Sequence, residues 1–168
     1  MESQNLCAYN RTRECFLGLE VSERDVRYAQ LRDLVEALTL KSGEGLWVSP
    51  FVGIPAINPG VLLDLVYLDS QCRVVDTIES FLSTHEPPSN SQAASLLALP
   101  PRTIYSSQTQ RGDQLVICLA EEMELRLEKL TLAREEGTMT VQSAALVREV
   151  PLWSGGPGVL ELENRSKG

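Results

Sequence analysis

Apolar and polar positions alternate over residues 14–21: Cys15, Leu17, Leu19 and Val21 point one way, Glu14, Phe16, Gly18 and Glu20 the other. A period of two is the mark of a half-buried strand. Leu6-Cys7-Ala8-Tyr9 reads as a shorter strand before it and Asn10-Arg11-Thr12 as the turn between, so a hairpin is expected. The period then changes. Leu31, Leu34, Val35 and Leu38 recur at i, i+3, i+4 and i+7, which predicts a helix over residues 23–38 with Arg27, Arg32, Asp33 and Glu36 toward water. Ser22 and the acids after it resemble a capping box at its start, and Ser42-Gly43 ends the region.

From residue 45 to 81 the pattern returns to strands. Leu46-Trp47-Val48 is stopped by Pro50, and the prolines and glycine of residues 54–60 predict an edge or an irregular connection. Residues 62–68 are apolar on both faces and read as the core strand; residues 69–71 turn, and residues 74–81 return antiparallel. A polar loop over 83–92 leads to residues 93–99, read as a strand or an early helical turn. Pro100-Pro101 breaks it, residues 102–110 read as irregular, and Arg111-Gly112-Asp113 turns into a last strand over 115–119. Strong helix formers then fill residues 121–136, with Met123, Leu127 and Leu130 on one face and Gly137 as the stop.

Together these elements predict an α+β fold. A compact, mostly antiparallel β-barrel or sheet with one packed amphipathic helix occupies residues 1–119, followed by a C-terminal helix over 120–136. Residues 137–168 read as a partly disordered tail or docking segment whose apolar patch includes Leu146, Leu152 and Trp153.

The 168 residues carry a formal charge of −8, a field that repels phosphate backbones. The best basic cluster, Arg11 and Arg13 with Arg24 and Arg27, is interrupted by Glu14, Glu20, Glu23 and Asp25, so nucleic acid is set aside. No apolar run approaches the roughly 20 residues of a membrane span, and Met1-Glu2-Ser3-Gln4-Asn5 lacks the basic start of a signal peptide. A cytoplasmic location with reduced thiols is therefore expected. Cys7, Cys15, Cys72 and Cys118 lie far apart without a CxxC pair and read as small buried hydrophobes, although Cys7 and Cys15 could face each other across the hairpin. No metal or cofactor is expected.

Several segments resemble one family in order and spacing. Gly43-Glu44-Gly45-Leu46-Trp47 follows a helix, Leu63-Asp64-Leu65-Val66-Tyr67-Leu68-Asp69 is an acid-bearing strand, and Cys72-Arg73-Val74-Val75 is its return. Leu96-Leu97-Ala98-Leu99-Pro100, then Arg111-Gly112-Asp113-Gln114-Leu115, completes the series. Over residues 13–119 the chain is similar to the domain of unknown function 192 family, widespread in bacteria and archaea. The resemblance implies a compact, mostly antiparallel β fold and no established catalytic activity. Where members carry an aromatic or Met-rich segment before the acid, this chain has Pro55-Ala56-Ile57-Asn58-Pro59-Gly60, so a surface built there in relatives is altered here.

Candidate chemistry is sparse. Asp64, inside an apolar strand, either accepts backbone N–H groups or is a functional acid in a pocket with Asn58 and the 102–110 loop. His85, the sole histidine, stands in a polar loop beside Glu86 without a nucleophile motif. The loop side chains, Tyr105 and Gln108 among them, are candidates for a ligand or partner surface. The expectation is a non-catalytic interaction or regulatory module with a protein partner or self-association. The alternative is a small-ligand binder or enzyme with its pocket near Asp64.

Overall fold

The computed structural model describes residues 4–149, with seven strands and three α-helices. In chain order these are β1 (Leu6–Asn10), β2 (Cys15–Arg24), α1 (Leu31–Leu38), β3 (Glu44–Val48), β4 (Leu62–Leu68) and β5 (Val74–Leu82). They are followed by β6 (Ser95–Leu99), α2 (Thr103–Ser107), β7 (Leu115–Leu119) and α3 (Ala120–Glu149). The strands form one sheet in the order β5-β4-β6-β3-β2-β1-β7, antiparallel except where β3 runs parallel to β2. This is the expected α+β class, a curled half-barrel. The single parallel pair follows from α1, because parallel neighbours need a long crossover.

β4 shows why the sheet has two cores. Leu63, Leu65 and Tyr67 pack with Leu34 and Leu38 of α1 and with Leu46, Val48, Leu96 and Ala98 of the central strands. Val66 and Leu68 point the other way, to Ala8, Leu17, Val21, Leu99, Leu115 and Ile104 of α2. The second cluster joins strands from both halves of the sheet, which makes it the concave side of the curl. Both sheet faces being covered, β4 reads as an unbroken apolar run.

The two edge strands meet at one end of the curl. Arg73 bridges Gln114, while Val74 N–H donates to Asp113 O at 2.9 Å and Leu115 N–H to Cys72 O at 3.0 Å. Cys72 takes φ 59° in the turn that brings β5 to this junction.

Three expectations are corrected. The helix predicted over 23–38 starts at Leu31; Ser22 to Arg24 continue β2, pairing in parallel with Leu46 to Val48. Ser22 caps nothing there, and Asp25 instead accepts Arg27 N–H at the head of a short 3-10 turn, Val26–Tyr28. Sheet pairing overrode the local capping signal. The predicted stripe holds for Leu34 and Leu38, both buried, and Val35, half-buried. In β2 the alternation fails at Leu19, which is 58% exposed. Leu6 pairs with Val21 but Ala8 with Gly18, so β2 carries an extra residue. The N–H groups of Leu19 and Glu20 both donate to Gly43 O, at 2.7 and 3.0 Å. This β-bulge turns Leu19 outward and returns Val21 to the core. Finally, α3 runs through Gly137 to Glu149, so the helix predicted over 120–136 is longer and the segment 137–168 begins as helix. A lone glycine costs about 1 kcal/mol in a helix, too little to stop a long one.

Residues through Met123 form one compact unit and those from Glu124 another. Of the predicted α3 stripe, Met123 is buried, Leu127 half-buried and Leu130 exposed. Leu125 and Leu132 are exposed as well.

One interior group lacks its complement. Trp47 packs partly against the concave core, and its indole Nε1 is buried without a hydrogen-bond partner. Trp47→Phe removes that donor along with some packing, and a buried orphan costs about 1–3 kcal/mol. The replacement is therefore expected to stay within about 1 kcal/mol of the parent in urea unfolding, whereas Trp47→Ala loses about 3–5 kcal/mol.

Candidate functional site

Asp64 is fully buried on β4, and its two carboxylate oxygens divide between two elements. Oδ1 accepts the Ser80 N–H at 3.0 Å and Oδ2 the Ile104 N–H at 2.8 Å. Each donor is there for a local reason. Leu63 pairs with Phe81 but Leu65 with Ile78, so β5 bulges opposite Asp64, with Ser80 at φ 53°. Ile104 lies in the first turn of α2, whose preceding residue Arg102, at φ 73°, offers no side-chain cap. Asp64 thus caps α2 from across the fold, and its charge complements the helix N-terminus. Of the two roles the sequence left open for this carboxylate, its geometry is the structural one.

A second buried polar cluster lies where the sheet edges meet. Asn10 Nδ2 donates to Thr109 Oγ1 and to Asp113 Oδ2, both at 3.0 Å. Arg13 Nε and the Gln110 N–H reach the same Oδ2 at 3.1 Å. Burial alone would push the Asp113 carboxyl up, but Asn10, Gln110 and Arg13 outweigh it and hold it below the ordinary carboxylate range. This cluster fixes the β1–β2 turn against the segment between α2 and β7.

The segment 102–110, expected to be irregular, contains α2, closed by Gln108 at φ 53°. A groove of about 630 Å³ opens beside it, lined among others by Arg13, Thr77, Glu79, Tyr105, Gln108 and Gln110. Tyr105 is 71% exposed and Gln108 is exposed. Ile104 lines the groove too, so Asp64 underpins its floor rather than opening into it. Asn58 is exposed in the connection before β4 and lines neither this groove nor one of about 580 Å³ formed by residues such as Arg27, Phe51, Val52 and Glu86. The fold therefore unites Tyr105 with Gln108 and separates them from Asn58. Arg13, Thr77 and Glu79 are added by the fold; Arg13 and Asp113 stand 100 positions apart, a pairing without a local sequence signal.

The remaining candidates carry no assembled chemistry. His85 is exposed, and its N–H donates to Leu82 O. All four cysteines are free thiols. Cys7 faces Cys118 across β1 and β7, not Cys15, which pairs with Asn10 and donates its thiol to Ser107 O. Burial, with Cys118 beside it, pushes the Cys7 thiol up to about 11. Among the described residues no group of three or more His, Cys, Asp or Glu side chains could hold a metal ion. No described helix is long and apolar enough to cross a membrane. Of the docking patch, Leu152 and Trp153 lie outside the described residues, and Leu146 is placed as a position within α3.

No protein-family model and no curated protein matches this sequence. Two solved structures are similar in fold. A protein of unknown function from Novosphingobium aromaticivorans matches with TM-score 0.50 and 12% identity, over 67% of this chain and 83% of that one. A putative transcription regulator from Sinorhizobium meliloti matches with TM-score 0.51 and 16% identity, over 67% of this chain and 91% of that one. At these identities the likeness is one of architecture.

Two measurements check the buried acids. Asp64→Asn keeps the shape but sets an amide against N–H donors, and is expected to cost about 2–3 kcal/mol in urea unfolding. Asp113, depressed in the folded state, contributes stability that is present above its unfolded value near 4 and lost as pH falls through the lower folded value. Acid unfolding followed by circular dichroism should therefore become shallower in that range in Asp113→Asn, at the cost of lower stability at neutral pH.

Proposed function

We propose that this chain is a non-catalytic interaction module whose contact surface is the groove beside α2, and that its partner is a polypeptide. The observation that supports the reading most directly is the pairing of an exposed aromatic and amide-rich surface with an anchored base. Tyr105, Gln108, Gln110 and Thr77 offer an aromatic and adaptable amides and hydroxyls, the side-chain types that binding surfaces favour. Beneath them the backbone of α2 is held by the Asp64 carboxylate. A contact surface works best on a scaffold that loses little freedom on binding. The regulatory role and the cytoplasmic setting belong to the same proposal, as does kinship with the domain of unknown function 192 family. The word transcription in the description of the Sinorhizobium meliloti structure adds no specific partner, since 16% identity carries the fold alone.

The test is site-specific photo-crosslinking in the native host, with a photoreactive phenylalanine analogue at Tyr105 and, as a control, at the outward-facing Leu19. A discrete polypeptide adduct is expected at position 105, none at position 19, and its loss in Gln108→Trp, which fills the groove. Equal labelling at both positions, or an adduct indifferent to Gln108→Trp, would refute the reading.

A further inference from the structure

The turns at the closed end of the curl carry a second feature, which rests on the groove reading and gives its partner a chemistry. Gln114 lies between two neighbours. Arg11, whose N–H donates to Gln114 O at 2.8 Å, continues the β1–β7 register, and Arg73 bridges Gln114 from the other side. Residues directly opposite in antiparallel pairs point to the same face. Next to them Asn10, Val74 and Leu115 are all buried, so Arg11, Gln114 and Arg73 form one row on the outer face. Arg111 adds a third guanidinium from the adjoining turn, which is anchored by Gly112 N–H on Val74 O at 2.8 Å.

Arg11, Arg73 and Arg111 are exposed and make no ion pair with the described residues. Two acids on the same turns accept hydrogen bonds of their own. Asp69 accepts the N–H groups of Gln71 and Arg73, and Asp113 holds Asn10, Arg13 and Gln110; Glu14 shares the β1–β2 turn at the surface. A chain of net charge −8 thus gathers arginines, each able to take a carboxylate in a two-pronged bond, at one end of its sheet.

We propose that Arg11, Arg73 and Arg111 clamp an acidic polypeptide segment whose continuation enters the α2 groove past Arg13. Arg13 itself uses Nε on Asp113 while lining that groove, which orients its guanidinium plane. Two strand spacings separate the Arg11 and Arg73 backbones, roughly 10 Å, which matches about three residues of extended chain. A segment with spaced carboxylates fits that interval. The net charge of −8 opposes any polyanion at longer range, and a dense one such as duplex DNA more strongly than a segment with a few spaced carboxylates.

The experiment is fluorescence anisotropy of the full chain with a fluorescein-labelled peptide carrying glutamate at every third position and serine between. Saturable binding is expected, weakened by at least about tenfold in the Arg11→Gln, Arg73→Gln, Arg111→Gln triple variant and by raising salt to about 0.5 M. The three side chains are exposed, so thermal unfolding of the triple variant should coincide with that of the parent. A lysine–serine peptide and inorganic phosphate are not expected to compete. Absence of saturation up to about 1 mM peptide, or binding unchanged in the triple variant, overturns the proposal. So does tighter, arginine-dependent binding of duplex DNA. Crosslinking at position 105, repeated in the triple variant, separates the two readings: a groove adduct that persists there removes the clamp and leaves the groove.

Discussion

One carboxylate ties together the elements on which the concave side depends. Asp64 sits in an otherwise apolar strand and answers two backbone donors that no local structure satisfies. The Ser80 N–H is released by the β5 bulge, and the Ile104 N–H by a helix that begins without a side-chain cap. Burying either donor unpaired would cost on the order of 1–3 kcal/mol, and burying the carboxylate unpaired would cost more. Each group therefore makes the others tolerable. The bulge bends β5, α2 settles on the concave core through Ile104, and the groove beside α2 gains a fixed floor.

The same logic closes the sheet at its other vulnerable point. Edge strands present unpaired backbone groups, and here β5 and β7 satisfy part of theirs against each other. The Asn10, Arg13, Thr109 and Asp113 network locks the turns at that junction, with every oxygen and nitrogen of the Asn10 amide engaged by a protein partner. Such a network is worth more intact than in parts, because its members share a buried, low-dielectric setting. One consequence reaches the surface: with Asp113 buried and bonded to Asn10, Arg13 and Gln110, the exposed arginines on these turns face outward.

On the function proposed above, this scaffold works through its surface. The most polar buried residues are bound to backbone or to one another, and the exposed side chains, Tyr105, Gln108 and the three turn arginines, stand on short, well-anchored segments. Placement on a rigid frame gives such residues reach without loss of position, the property a docking surface needs.

Much of the architecture was legible in the chain. The apolar run at Leu62–Leu68, its return at Val74–Leu82 and the turn glycines forecast the sheet, because burial on one or both faces leaves a direct imprint on residue order. Asp64 was conspicuous for the same reason, an acid where apolar residues should be. Its partners were not legible, since Ser80 and Ile104 contribute N–H groups that every residue but proline carries. Leu19 misled because a bulge depends on the Gly43 carbonyl of a distant turn, and Ser22 because sheet pairing with β3 outweighed a capping signal worth about 1 kcal/mol. Sequence by itself determined which residues must leave water and hence the strands. Tertiary structure alone decided which turns became neighbours, because contacts such as Arg11–Gln114–Arg73 arise from sheet closure, a long-range event with no local code.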